Sequence, residues 1–139
     1  MVKDIIKDDA VLSTPCEDAT ADDVAIAQDL IDTIMALDSA ACLAANQIGE
    51  TKRIGVYLNT AEKPVVLFNP RITQKLKPFG SVEECLSRDE PTLVNRYDWI
   101  RVEYDEPVDG KLVPRKKKLE GWTAQLVQHI IDHCNGELV

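Results

Sequence analysis

Two histidines near the C-terminal end are the residues with the clearest capacity for chemistry. His129 and His133 are the only histidines in the chain, and they lie four positions apart. In an α-helix that spacing places two side chains about 40° apart around the axis and one turn apart along it. One divalent ion can then contact both imidazoles. Helices also carry such pairs with both rings bonded only to backbone or solvent, so a metal site and a purely structural pair are both open.

The residues around the two histidines predict a helix. Apolar side chains recur there with a helical period, which is typical of a helix packed against a core: Leu126, Val127, Ile130, Ile131 and Cys134. Asn135-Gly136 follows as a stop signal. We therefore expect a helix from about Trp122 to Cys134 that carries both imidazoles on one face.

The composition is that of a globular protein. The chain has 139 residues, 45% hydrophobic and 29% charged, and we expect one domain spanning residues 1–139. A chain of this size buries about 68–70% of its unfolded surface and needs no disulfides. It contains no apolar run near the roughly 18 residues of a membrane span, and its first residues lack the apolar core of a secretory signal. We expect a cytoplasmic protein with no membrane partner.

Charge and cysteine usage exclude further classes. The net charge of −8 disfavours nucleic acid as a partner, and the basic run at residues 115–118 is more simply the solvated end of a strand. Four cysteines are scattered without a CxxC pair, which predicts free thiols or a metal ligand in place of disulfides: Cys16, Cys42, Cys85 and Cys134.

The remaining patterns predict an α+β arrangement. Residues 1–20 are predicted to be an extended arm, and Thr20 can cap an amphipathic helix that ends at about Asp38. A small-residue stretch follows at 40–47, and residues 81–87 lie in loop-rich sequence. Strands are predicted at 54–58, 65–68, 71–77, 93–94, 99–104 and 111–119, with a turn at Asp109-Gly110.

Three segments resemble the three motifs of bacterial peptide deformylases, in the family's order and spacing. They are Ala44-Ala45-Asn46-Gln47 after Leu43, Glu83-Glu84-Cys85-Leu86-Ser87, and Gln128-His129 with Asp132-His133. The resemblance covers nearly the whole chain. It implies the peptide deformylase fold, in which mixed or antiparallel strands surround a central C-terminal helix bearing the metal-binding histidines.

The resemblance also implies a site and a reaction. Cys85, His129 and His133 would hold one divalent ion, Fe²⁺ in the family with Zn²⁺ or Ni²⁺ as substitutes, and leave a fourth position for water. Gln47 and the backbone amide of Leu86 would stabilise the oxyanion. The substrate would be the N-formyl group on the N-terminal methionine of nascent chains, removed during protein biosynthesis. Asp132 would orient a ligand or pin the helix.

The largest departure from the family lies between the two histidines. Ile130 stands where the family has the glutamate that carries the proton from the attacking water to the leaving amine. Losing a positioned acid–base group typically costs roughly 10²–10⁴-fold in rate. We expect an apolar side chain beside the attacking water, and weak or absent deformylase activity.

Further departures cluster at the predicted peptide groove, where Cys42, Leu43 and Glu84 would contact the substrate. The family usually has glycine at the positions of Ala40, Cys42 and Glu84, so the added side chains should narrow the groove. Glu84 has three interpretations: a displaced base, a group that closes the fourth metal position, or a carboxylate pointing to solvent. Cys42 is interpreted as a small buried residue, with an extra thiolate ligand or a redox partner as alternatives.

Two other functions remain open at this stage. One is an active deformylase or related amide hydrolase that uses Glu84 or a metal hydroxide alone. The other is a non-catalytic protein that binds a metal or an N-terminal peptide. Many family members continue into a C-terminal extension used at the ribosome, whereas this chain stops at Val139, so we do not expect ribosome docking.

Overall fold

The computed structural model describes all 139 residues and contains three α-helices, two 3₁₀ segments and one five-stranded sheet. The helices and strands are α1 (Asp9–Leu12), α2 (Val24–Ala36), β1 (Cys42–Ala44), β2 (Ile54–Leu58), β3 (Pro64–Glu83), β4 (Thr92–Val108), β5 (Lys111–Glu120) and α3 (Gly121–Cys134). The strands follow one another in chain order across the sheet, and every neighbouring pair is antiparallel. This confirms the α+β class. None of the helices has the length and apolar character to cross a membrane.

The N-terminal region differs in part from the prediction. The arm is not wholly extended, because Asp8 caps the short helix α1 by accepting a hydrogen bond from the amide of Ala10. Thr20 caps as predicted, in a capping box with Asp23, but the first turn is a 3₁₀ segment at Ala21–Asp23 that leads into α2.

The sheet contains fewer and longer strands than predicted. Four predicted strands merge into β3 and β4, which pair from Phe68 with Asp105 to Glu83 with Thr92 and absorb two register shifts on the way. Residues 81–83, predicted as loop, are the end of β3. Within the small-residue stretch, β1 and a 3₁₀ segment at Ala45–Ile48 were not predicted. The turn at Asp109-Gly110 joins β4 to β5 as predicted, with both residues at positive φ.

Two buried clusters hold α2 and α3 against the sheet. The first includes Leu30, Ile34 and Val56, and the second includes Ile100, Val127 and Ile130. Helix α3 begins and ends within one residue of the prediction, and it packs on β4 and on the edge strand β1. It thereby brings its two histidines beside the loop that joins β3 to β4.

Candidate metal centre and substrate cavity

Helix α3 and the β3–β4 loop bring one thiol and two imidazoles together. The Sγ of Cys85 and the ligand nitrogens of His129 and His133 all lie within 4.8 Å of one another. The two Nε2 atoms are 3.1 Å apart, and Cys85 Sγ lies 3.4 Å from His133 Nε2. Around a tetrahedral ion with zinc-like bond lengths the same separations are about 3.4 and 3.6 Å. The observed set is therefore close to the size that a divalent ion requires.

The orientation of His129 is fixed by Glu83. The Nδ1–H of His129 donates to Glu83 Oε1 over 2.9 Å, which leaves the Nε2 lone pair for the cluster. Glu83 also accepts two hydrogen bonds from Arg96 and one from Gln125, so each carboxylate oxygen has two donors. Burial opposes ionisation of Glu83, yet these donors hold the pKa of its carboxyl well below the usual range.

A buried arginine ties this carboxylate to the helix. Arg96 on β4 is almost fully buried and bonds Glu83 on one side and Asp132 Oδ2, at 2.6 Å, on the other. Through Arg96, Asp132 on α3 is connected to Glu83 at the end of β3. Sequence reasoning missed Arg96, because arginine is seldom buried. The available signal was strand alternation, which places Arg96 on the inward face with Val94.

The two histidines have different environments. Burial lowers the pKa of His133, and the positive charges of His129 and Arg96 lower it further. Burial also opposes protonation of His129, but its interactions with Cys85 and Glu83 outweigh that effect and raise its pKa. His133 Nδ1 is buried without a hydrogen-bond partner. The Nε2 atoms of His129 and His133 face each other, so only one proton can lie between them. A cation bound by both imidazoles would lie at the same place.

Two hydrogen-bond donors stand beside the cluster. Gln47 accepts from the amide of Ala44 through Oε1, and its Nε2 lies 3.3 Å from both Cys85 Sγ and Ser87 Oγ. Leu86 follows Cys85 in the loop, and its backbone N–H donates no hydrogen bond within the protein. The structure therefore places both predicted oxyanion donors beside the cluster of Cys85, His129 and His133.

A cavity of about 430 Å³ opens next to the cluster between β1, the β3–β4 loop and α3. Its lining residues are Ser39, Ala40, Ala41, Cys42, Gln47, Val82, Glu83, Glu84, Cys85, Leu86, Trp122, Gln125, Leu126 and His129. Leu43 was expected to contact substrate, but its side chain is fully buried in the core and absent from this lining. Neighbouring residues of a strand point to opposite faces, so Cys42 faces the cavity and Leu43 does not.

Two residues of the lining bear on the alternatives for this site. Burial, together with the negative charges of Cys85 and Glu83, raises the pKa of the Cys42 thiol to about 12, so Cys42 is neutral at physiological pH. Glu84 is exposed and makes no side-chain hydrogen bond or ion pair, and it is not one of the three clustered ligands. Its carboxylate is free to interact with whatever enters the cavity.

Ile130 lies on the side of α3 that faces the sheet. Its side chain is fully buried in the cluster between α3 and the sheet, and it is absent from the cavity lining. A methyl group placed on Gly55 of β2 would overlap Ile130 Cγ2. The isoleucine therefore fills the core where β2 approaches α3, because the glycine leaves room for it.

Comparisons with known proteins agree with this geometry. The family model described as polypeptide deformylase matches residues 2–139. A peptide deformylase of Clostridium beijerinckii is 39% identical over 140 residues, which span all of both chains. One from Rhizobium meliloti is 38% identical over 143 residues and is aligned over 96% of this chain and 80% of its own length.

Solved structures show the same relationship. The peptide deformylase of Thermus thermophilus superposes with a TM-score of 0.85 and 30% identity, over 99% of this chain and 83% of that one. One from Legionella pneumophila gives a TM-score of 0.85 with 27% identity over the same shares. With a matching family model, a relative aligned over its full length and a shared fold, this chain belongs to the polypeptide deformylase family.

Proposed function

We propose that this protein is a metal-dependent hydrolase of N-formyl peptides whose rate is lowered because it lacks a proton carrier at position 130. Formyl-methionyl peptides are the substrates to test first. The observation that carries the proposal is the convergence of Cys85, His129 and His133 beside an open cavity that also receives Gln47 and Leu86.

Each of these groups has a role that follows from its contacts. Cys85, His129 and His133 would hold one ion, and a sulfur–nitrogen donor set suits Fe²⁺, Zn²⁺ or Ni²⁺. Such an ion, when bound, supplies a Lewis acid and lowers the pKa of coordinated water. The free N–H of Leu86 and the amide of Gln47 are placed to donate to a substrate oxygen, and Gln47 must release Ser87 or Cys85 to do so.

The expected weakness follows from the groups that could move a proton. Ile130 has no titratable group and lies in the core. All four acceptor positions of Glu83 are occupied, and the Cys42 thiol stays protonated. Losing a positioned acid–base group costs roughly 10²–10⁴-fold.

A second candidate is an active hydrolase in which Glu84 replaces the missing base. The observation that favours it is the unpartnered carboxylate of Glu84 in the cavity lining. Glu84→Gln separates the two candidates, since it keeps the size of the side chain and removes its basicity. It should leave the residual rate within about twofold under the first proposal and lower it by roughly 10²-fold or more under the second.

The experiment uses protein purified without oxygen and loaded with Fe²⁺, Ni²⁺ or Zn²⁺. We expect one ion per chain and formyl-methionyl hydrolysis that is slower than that of the Clostridium beijerinckii relative by roughly 10²–10⁴-fold. Cys85→Ala supplies the background rate. A metal-loaded protein no faster than Cys85→Ala would refute the hydrolytic proposal and leave a metal- or peptide-binding protein, whereas a rate equal to that of the relative would refute the predicted weakness.

A further inference from the structure

Gln125 links the cavity wall to the metal-binding network. It lies one turn before His129 on the same face of α3 and lines the cavity. Its Nε2 donates to Ser81 Oγ over 2.7 Å and to Glu83 Oε2 over 2.8 Å. A carboxylate accepts only, so the nitrogen and not the oxygen of the amide must face Glu83. Two hydrogen bonds therefore fix the orientation of this side chain.

The other end of the amide remains available. Gln125 Oε1 accepts no hydrogen bond from the protein, and it is not one of the buried polar atoms without a partner, so solvent reaches it. Gln125 lines the cavity, so an acceptor held by a side chain of fixed orientation belongs to the cavity wall. An apolar group that covered this oxygen would leave it without a partner, whereas a donor would satisfy it.

The other residues of the cavity lining also favour a side chain that ends in a hydrogen-bond donor. It includes the exposed, unpartnered carboxylate of Glu84 and no lysine or arginine. Ala41, Trp122 and Leu126 supply apolar surface for the stem of a side chain. This combination fits an aliphatic stem that ends in a hydrogen-bond donor, and the unpartnered carboxylate of Glu84 favours a donor that is a cation.

We propose that Gln125 is a specificity-determining residue and that the cavity selects N-formyl peptides whose first side chain ends in a hydrogen-bond donor, with lysine the preferred case. This inference rests on the proposed function, because it assumes that the first side chain of a formyl peptide enters the cavity. It goes further by naming the chemistry of that side chain, and the thioether of methionine lacks the donor that Gln125 Oε1 accepts.

The test measures binding by calorimetry, in the metal-loaded protein, for four formyl tripeptides that differ only in the first side chain. Lysine and norleucine share the same four-carbon stem and differ in the terminal ammonium, and glutamine and methionine form a second pair of similar length. We expect each donor peptide to bind about 3- to 10-fold more tightly than its apolar partner.

Two variants remove the acceptor in different ways. Gln125→Met removes the whole amide at similar volume, and Gln125→Lys keeps a donor for Glu83 while removing Oε1. Both should abolish the preference for donor peptides, and Gln125→Lys should disfavour the lysine peptide by repulsion. The metal content of each variant is also measured. A lower content than in the wild type would show that the hydrogen bonds around Glu83 no longer orient His129.

The outcomes separate this inference from the function on which it rests. Tighter binding of methionine and norleucine by the wild type, or an equal loss for all four peptides in both variants, would overturn the role of Gln125 and leave the formyl-peptide function standing. Failure of all four peptides to bind a folded, metal-loaded wild type would overturn both.

Discussion

Two adjacent faces of helix α3 are held in place by different kinds of interaction. The face with His129 is polar and specified by hydrogen bonds, since Glu83 orients the ring and Arg96 holds both Glu83 and Asp132. The neighbouring face with Ile130 is apolar and specified by packing. The family's proton carrier falls on the second face, so isoleucine there joins the core without disturbing a ligand.

Among substitutions on the polar side, loss of a predicted metal ligand should have the largest effect, because it should abolish metal binding. Cys85→Ala leaves two imidazoles, too few for the three-ligand site that catalytic metals occupy, so the purified variant should hold less than about a tenth as much metal as the wild type. Metal analysis after dialysis measures this. Cys42→Ala is the matched control, because Cys42 lines the cavity but its thiol is protonated. A large loss of metal in Cys42→Ala would show that Cys42 is an extra ligand.

The buried Arg96 should make a large contribution to the free energy of unfolding. Arg96→Met leaves Glu83 and Asp132 without their cation, and breaking a buried ion pair from one side costs about 3–5 kcal/mol of unfolding free energy. Urea unfolding of the metal-free protein measures it. In the exposed pair of Arg115 with Glu106, Arg115→Met should cost less than about 1 kcal/mol. Equal costs for the two variants would contradict a special role for Arg96.

The packed face can be tested through Gly55. In Gly55→Ala the new methyl group overlaps Ile130 Cγ2, and overpacking of this kind costs about 1–3 kcal/mol. The cost should fall by more than about half in an Ile130→Ala background, which removes the overlapping atom. Gly80→Ala is the control, since no atom lies within 4 Å of its added Cβ, and it should change stability by less than about 0.5 kcal/mol. Additive costs of Gly55→Ala and Ile130→Ala would refute the contact.

Sequence reasoning predicted the features that are encoded locally. The period of apolar residues defined α3, and the histidine spacing placed both rings on one face. It could not show that Arg96 is buried, because the compensating charges of Glu83 and Asp132 come from distant segments. The sequence also could not show how the Ile130 side chain packs. Its packing depends on Gly55, whose missing Cβ leaves room for it across the helix–sheet interface. Strand pairing over long distances merged the predicted short strands into β3 and β4.

The central claim is that the metal site is complete and only the proton carrier is missing. The most direct test measures hydrolysis of a formyl-methionyl peptide by Ile130→Glu. Ile130→Gln is the control, because its side chain has a similar size but cannot transfer a proton. All three proteins are loaded with the same metal and compared at equal metal content. Ile130→Glu should gain roughly 10²–10⁴-fold in rate over the wild type, and Ile130→Gln should gain nothing. A metal-loaded, folded Ile130→Glu with no gain in rate, or an equal gain in both variants, would show that a missing proton carrier at position 130 does not limit the reaction.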